Sequence, residues 1–440
     1  MTVKYFKYRY FLYSASVIIF ICYLLQNYNV NYYDETGYIH VSKLILTQGL
    51  FNIAEPLRTY MYPLIISLVS IFTNGNIEVI KILISILQFF IYCYTVFFVS
   101  DHFKDPIIKN SILSFGLLNP YMIQSTTLFL TDLLATCAIV ISLFKVIMGD
   151  FDKKRTYFVS FFSIIIATMI RPSSLIMLPV ILLILLIRKI TLKDINIARC
   201  LIAGLFSLLF FIPQLYNNVK QFDDWTPLIH QDLYEFQSRL AASYLKYGTV
   251  VIPNEEPGLV FRTPFTVGPE ETIYGLIVSN FFGFLTVYTS HLFGAIDWGY
   301  IDTYIREWYP PSRIIGSVFL YIYWILAFYG VGLFLAMKKK NIKQWFTGLS
   351  LILAFLGYWL FIGTTVVESR FGYPLLMIII PFAGLALKKI ITDIMKTSLN
   401  RAKRFKIIIF YLIIFIVVVM IMFLLSFLLD YQTGRIDWFN

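Results

Sequence analysis

The ionisable residues able to do chemistry fall in five short motifs. They are YYDETGY with adjacent Asp34 and Glu35, EPLRTYMYP with Arg58, STTLFLTDLL with Asp132, IRPSS with Arg171, and VESRFGYP with Glu368 and Arg370. A carboxylate among aromatic neighbours such as Tyr32 and Tyr33 has its proton affinity raised, which suits Asp34 to act as a general base. Asp34 also reads as the N-cap of a short amphipathic helix carrying Tyr38, Val41 and Ile45 and ending near Gly49. Glu35 would position or polarise its neighbour. Asp132 reads as lying about one turn inside an apolar helix, where it needs a partner on another helix or a polar group to hold. Arg171 and Arg370 stand beside prolines, and a guanidinium fork there either grips phosphate oxygens or snorkels to lipid headgroups. Arg58 carries the same two readings, and Glu368 lies two residues from Arg370.

The elements that must position these groups are membrane helices. The 440 residues are 59% hydrophobic and 18% aromatic, and only 14% are charged, a composition that a polytopic membrane protein has and a water-soluble enzyme does not. Apolar runs at 10–27, 78–100, 107–119, 126–148, 156–170, 173–190, 197–216, 313–337, 345–366, 371–388 and 406–429 predict about 11 spanning helices in one all-α membrane unit over 1–440. Two more stretches, 60–73 and 273–296, are interrupted by Pro, Gly or polar residues and read as juxtamembrane or re-entrant helices.

Charge orients the unit. With Lys4, Lys7 and Arg9 inside and both interrupted stretches uncrossed, the inner side collects 23 of the 36 Lys and Arg, among them Lys153, Lys154, Arg155, Arg188, Lys189, Lys193, Arg199 and the MKKKNIK loop. All five motifs then face outward. So do the loops 31–77 and 217–312 and the C-terminal DYQTGRIDWFN. The long N-terminal run, with no small-residue cleavage site after it, reads as an uncleaved helix.

Other chemistries find little support. His40, His102, His230 and His291 are scattered, and Cys22, Cys93, Cys137 and Cys200 lie inside apolar runs with no C-x-x-C pair, so neither a zinc site nor a disulfide framework is indicated. No phosphate-cradling G-x-x-x-x-G-K-[ST] and no G-x-G-x-x-G after a strand occurs. The net charge of +11 is spread in clusters between apolar runs, unlike a nucleic-acid footprint, and RAKRFK reads as a topology signal or an anionic-lipid contact.

In their order the motifs resemble the C-type (GT-C) glycosyltransferases that use polyprenyl-phosphate sugars, the protein O-mannosyltransferases and lipid A aminoarabinose transferases. DETGY is similar to the Asp-Glu-x-x-Tyr that opens the first outer loop of that group, at Asp34, Glu35 and Tyr38. LRTYMYPLI, with Arg58 and Tyr62, resembles its basic residue followed by tyrosine and proline, and Asp132 its second outer acid. ESRFGYP resembles its late Glu-x-Arg-Tyr segment, with Phe371 in place of tyrosine and Pro374 one position early.

The resemblance implies inverting transfer from a polyprenyl-phosphate sugar to a hydroxyl on a lipid-linked glycan, polysaccharide or protein at the outer face. Asp34, Glu35 and Asp132 would be catalytic. Arg58, Arg171, Glu368 and Arg370 would form the donor-phosphate site, Tyr38 and Tyr62 would bind substrate, and loop 217–312 would meet the acceptor. No cofactor is implied and a divalent cation stays open. The alternatives are a transporter or flippase of lipid-linked sugars, a ligase or polymerase of lipid-linked glycans, and a non-catalytic binder. The absence of a C-terminal retention motif points to a bacterial cytoplasmic membrane.

Overall fold

The computed structural model describes residues 2–248, 258–297, 310–337, 341–396, 401–428 and 433–436. Lys338, Lys339 and Lys340 of the MKKKNIK loop, and most of the C-terminal segment, lie outside these residues. The first half of the chain forms α1 (Thr2–Asn27), α2 (Tyr33–Gln48), α3 (Met61–Phe72), α4 (Ile77–Asp101), α5 (Pro106–Leu117), α6 (Pro120–Ser125), α7 (Asp132–Met148), α8 (Lys154–Ile170) and α9 (Met177–Thr191). The second half adds α10 (Ile197–Leu208), α11 (Ile212–Phe222), α12 (Leu233–Ser243), α13 (Gly275–Ser279), α14 (Phe281–Gly294), α15 (Pro310–Ala336), α16 (Ile342–Ile362), α17 (Tyr373–Lys396) and α18 (Arg401–Leu428). Single 3-10 turns, Pro172–Ile176 and Ser369–Gly372, lead into α9 and α17.

Among the described residues eight helical runs are long and apolar enough to cross a membrane, against the eleven expected. The differences fall at α5, α7 and α8, which have 12, 17 and 17 residues. Local chemistry accounts for the shortest. Asn119 caps the backbone N–H groups of Tyr121 and Met122, and Pro120 begins a new helix, so α5 stops at Leu117. Thr126 and Thr127 then donate to the carbonyls of Ile123 and Gln124 at 2.6 and 2.7 Å, ending α6. The expected helix at 126–148 therefore begins only at Asp132, which is its first residue and not one turn inside it.

The two interrupted stretches are short helices. At about 1.5 Å per residue, the 12 residues of α3 and the 14 of α14 fall well short of a roughly 30 Å bilayer core, and Asn280 separates α14 from α13. A feature absent from the expectation is a small antiparallel sheet, β1 (Tyr244–Gly248), β2 (Gly258–Arg262) and β3 (Thr433–Ile436), in that order. Through β3 the C-terminal segment joins the 217–312 loop.

The main apolar core gathers α4, α5, α7, α8, α9, α15, α16 and α17. Helix α17 is its centre, whereas α18 has an apolar face open along its whole span. At one end of the bundle α11 clasps the loop between α2 and α3. Asn217 accepts from the Ile53 N–H and donates to the Leu50 carbonyl, Gln214 accepts from the Tyr60 N–H, and the Tyr60 hydroxyl donates to the Phe210 carbonyl at 2.7 Å. Burial pushes the Tyr60 hydroxyl up to about 12, so it stays a donor.

Candidate active site

The α2 segment enters its helix with Tyr32, not Asp34, at the N-cap, so the capping expectation for Asp34 is corrected. Glu35 accounts for the shift. Its carboxylate reaches back to the Tyr32 N–H at 3.1 Å, as an acid at the third helical position does. It also accepts from the Phe129 N–H at 2.8 Å and from Lys81 Nζ at 2.6 Å, in full burial. Lys81 reaches the Val30 carbonyl as well. Asp34 is thereby held in the first turn of α2, beside the positive end of the helix dipole.

From there Asp34 meets Arg370 across 336 residues of sequence. Arg370 Nη2 donates to Asp34 Oδ2 at 3.0 Å, Nη1 to Asp132 Oδ2 at 3.3 Å, and Nε to Glu368 Oε2 at 2.7 Å. Arg171 pairs with Asp132 from the other side and is oriented by Ser173 at 2.9 Å. Both arginines lie against the ring of Phe371, at 4.3 Å for Arg171 and 5.4 Å for Arg370. An aromatic face suffices for that, and Phe371 supplies it. Neither guanidinium snorkels outward; both turn into a cluster of three carboxylates.

Accessibility separates the acids. The Asp34 side chain is 35% exposed and those of Asp132 and Glu368 are 2% and 6%, so Asp34 is the carboxylate an incoming molecule can reach. Behind the cluster Asp132, Thr136, Arg171, Ser174, Tyr358 and Arg370 face a narrow, closely packed cleft. Among the described residues no group of three or more His, Cys, Asp or Glu is placed to hold a metal ion.

The remaining expected residues form an adjoining shelf. Tyr38 and Tyr62 meet edge to face at 5.3 Å, and Arg58 lies 5.4 Å over the Tyr38 ring while pairing with Glu55 at 3.7 Å. Arg58 packs directly on Gly37, where a Cβ would overlap its guanidinium, so the glycine of DETGY is a close-approach residue. Among the described residues Arg58 makes no ion pair with the carboxylate cluster.

Two buried lysines escaped the sequence reading. Lys81 stands alone in the apolar run 78–100, and a lone intramembrane cation is a signal in itself. Lys246 pairs with Asp297 at 2.9 Å in full burial, and Asp297 also accepts from Tyr321 at 2.5 Å and Ser426 at 2.9 Å. The Asp297 carbonyl accepts from Ser369 at 2.8 Å, immediately before Arg370, and Gly372 lets the same turn press against the Ala295 carbonyl. Lys246 and Asp297 lie 51 residues apart in a loop without periodicity, so nothing local marked them.

Removing one partner of a buried pair leaves an uncompensated charge, worth about 3–5 kcal/mol. Lys81→Met is accordingly expected to lower the thermal unfolding temperature in detergent sharply, and Lys81→Met with Glu35→Gln to recover most of the loss. Equal stability of Lys81→Met and wild type would contradict the pairing.

No protein-family model and no curated protein matches the sequence. Solved structures do. ArnT from Cupriavidus metallidurans bound to undecaprenyl phosphate, a lipid A aminoarabinose transferase of the GT-C type, aligns with a TM-score of 0.50 at 11% identity, over 89% of this chain and 63% of that one. This chain has a GT-C-like fold. The apo form of the same protein aligns with a TM-score of 0.48 at 10% identity over the same shares. The chain spans less than two thirds of the length of ArnT. The GT-C-like bundle is that of an integral, multi-pass membrane protein. At such low identity the likeness carries the fold and no residue roles.

Proposed function

We propose that the protein is an inverting glycosyltransferase that moves a sugar from a polyprenyl-phosphate carrier to a hydroxyl acceptor at the outer face of the membrane. The observation that carries this reading is the shared guanidinium of Arg370, which holds the exposed Asp34 and the buried Asp132 at once. A donor phosphate at Arg370 and Arg171 competes with Asp34 for the same N–H groups, and its arrival frees the Asp34 carboxylate beside the sugar. The acceptor oxygen then attacks the anomeric carbon and its proton passes to Asp34. The bond from that carbon to the phosphate oxygen breaks, and the electron pair leaves with the lipid phosphate, where the two arginines stabilise it.

In this scheme Asp132 and Glu368 aim the arginines, and Glu35 fixes the first turn of α2 so that Asp34 presents. Tyr38 and Tyr62 form the wall against which the sugar stacks, Arg58 steadies that wall, and loop 217–312 meets the acceptor. The carrier named for the ArnT crystal, undecaprenyl phosphate, supplies the probe. The free lipid phosphate is expected to raise the unfolding temperature of the wild type in proportion to the logarithm of its concentration. No shift at any concentration would count against a lipid-phosphate site. A transport pathway is less well served, because these charges sit at helix ends and not on broken helices near the midplane.

A further inference from the structure

The opposite end of the bundle carries a second polar concavity. The run from Pro172 to Thr191 starts next to Arg171 and ends 20 residues later, about 30 Å away at 1.5 Å per residue. There the turn between α9 and α10 forms an open groove of about 520 Å³, lined by Lys189, Lys193 and Arg199 with Asp152, Asp194 and Asn196.

The charge of this groove is not balanced internally. Asp194 is already engaged by Arg188, through Nε at 3.0 Å and Nη2 at 2.5 Å, and the rest of that guanidinium closes the end of α7 by donating to the carbonyls of Val146, Ile147 and Gly149. Lys189 donates to the Ile195 carbonyl at 2.8 Å and Arg199 to the Asp152 carbonyl at 3.0 Å, both neutral acceptors. Lys193 makes no ion pair among the described residues. Its backbone is left-handed, with φ of 57°, a conformation that L side chains avoid and that glycine or asparagine would adopt more readily. The conformation is the left-handed cap that ends α9, with the Leu192 and Lys193 N–H groups both on the Arg188 carbonyl, and it leaves the Lys193 side chain exposed on the rim of the groove.

The surroundings say which kind. Below the groove the outward sides of α9 and α10 are apolar and open, with Leu186, Ile190, Ile197 and Leu201 all more than half exposed. A molecule with a phosphate in the groove therefore has hydrocarbon surface directly beneath it, which suits a lipid and is wasted on a soluble anion. The N-terminus of α10, capped by Asn196, adds backbone N–H groups at the groove's edge.

We propose that this groove binds the phosphate of an anionic glycerophospholipid, at a site separate from and independent of the candidate active site. The test uses the full chain, purified in detergent and stripped of lipid. Native mass spectrometry then measures retention of dioleoyl phosphatidylglycerol against dioleoyl phosphatidylcholine. Wild type is expected to retain the anionic lipid about tenfold better. Lys193→Gln, an exposed change that leaves the packing untouched, should cut that preference several-fold, and the triple variant K189Q/K193Q/R199Q should abolish it. Inorganic phosphate at millimolar concentration should leave the adduct in place. Equal retention of the two lipids by wild type, or an undiminished preference in Lys193→Gln, would overturn the proposal. Displacement by inorganic phosphate would overturn the lipid assignment by making the site one for a soluble phosphate.

Discussion

Asp34→Asn is expected to lower transfer by about 10²–10⁴-fold, the range a positioned general base contributes, while binding of undecaprenyl phosphate is preserved or tightened. The second half of that expectation is the discriminating one. Asparagine keeps the shape and removes the charge that competes with a donor phosphate for Arg370 Nη2, now 3.0 Å from Asp34. Folding should change little, because Asp34 is the most exposed of the three acids and Asp132 and Glu368 still satisfy Arg370. Near wild-type turnover in Asp34→Asn would remove Asp34 from the chemistry. Loss of lipid-phosphate binding would instead make it part of the binding site.

Arg370→Ala should damage both fold and function. One guanidinium answers three carboxylates, two of them almost wholly buried, and its removal takes that positive charge from all three, while Arg171 still pairs with Asp132. A loss of about 3–5 kcal/mol of stability is expected, together with loss of the undecaprenyl-phosphate-dependent rise in unfolding temperature. Arg370→Lys separates the two effects. An ammonium restores the charge but cannot reproduce a fork that reaches Asp34, Asp132 and Glu368 at once, so it should recover most of the stability and little of the transfer. Full transfer by Arg370→Lys would mean that charge alone, without geometry, suffices.

Much of this was legible in the sequence because membrane folds announce themselves through long apolar runs, and because ionisable residues at their ends are costly enough to be noticed. The convergence of YYDETGY, FLTDLL, IRPSS and VESRFGYP at one end followed from alternating the spans by charge. What escaped was of two kinds. Local capping moved boundaries: Asn119–Pro120 and the threonines after α6 delayed α7 to Asp132, and Glu35 claimed the capping role assigned to Asp34. Buried pairs assembled from distant or aperiodic segments were invisible, as with Lys246 and Asp297, and the sheet that ties β3 to β2 joins residues more than 170 apart. The periodicities that reveal a helix carry no information on such partners.

The most direct test is transfer by the purified chain in lipid, offered a panel of labelled polyprenyl-phosphate sugars with membrane extract as acceptor. The account predicts that for one donor the label leaves the lipid phosphate and reappears, with inverted anomeric configuration, on a glycan, lipid or protein. If no donor is consumed, while lipid-linked sugar crosses between leaflets only when the protein is present, the protein is a flippase and the Asp34–Arg370 pair is a gate.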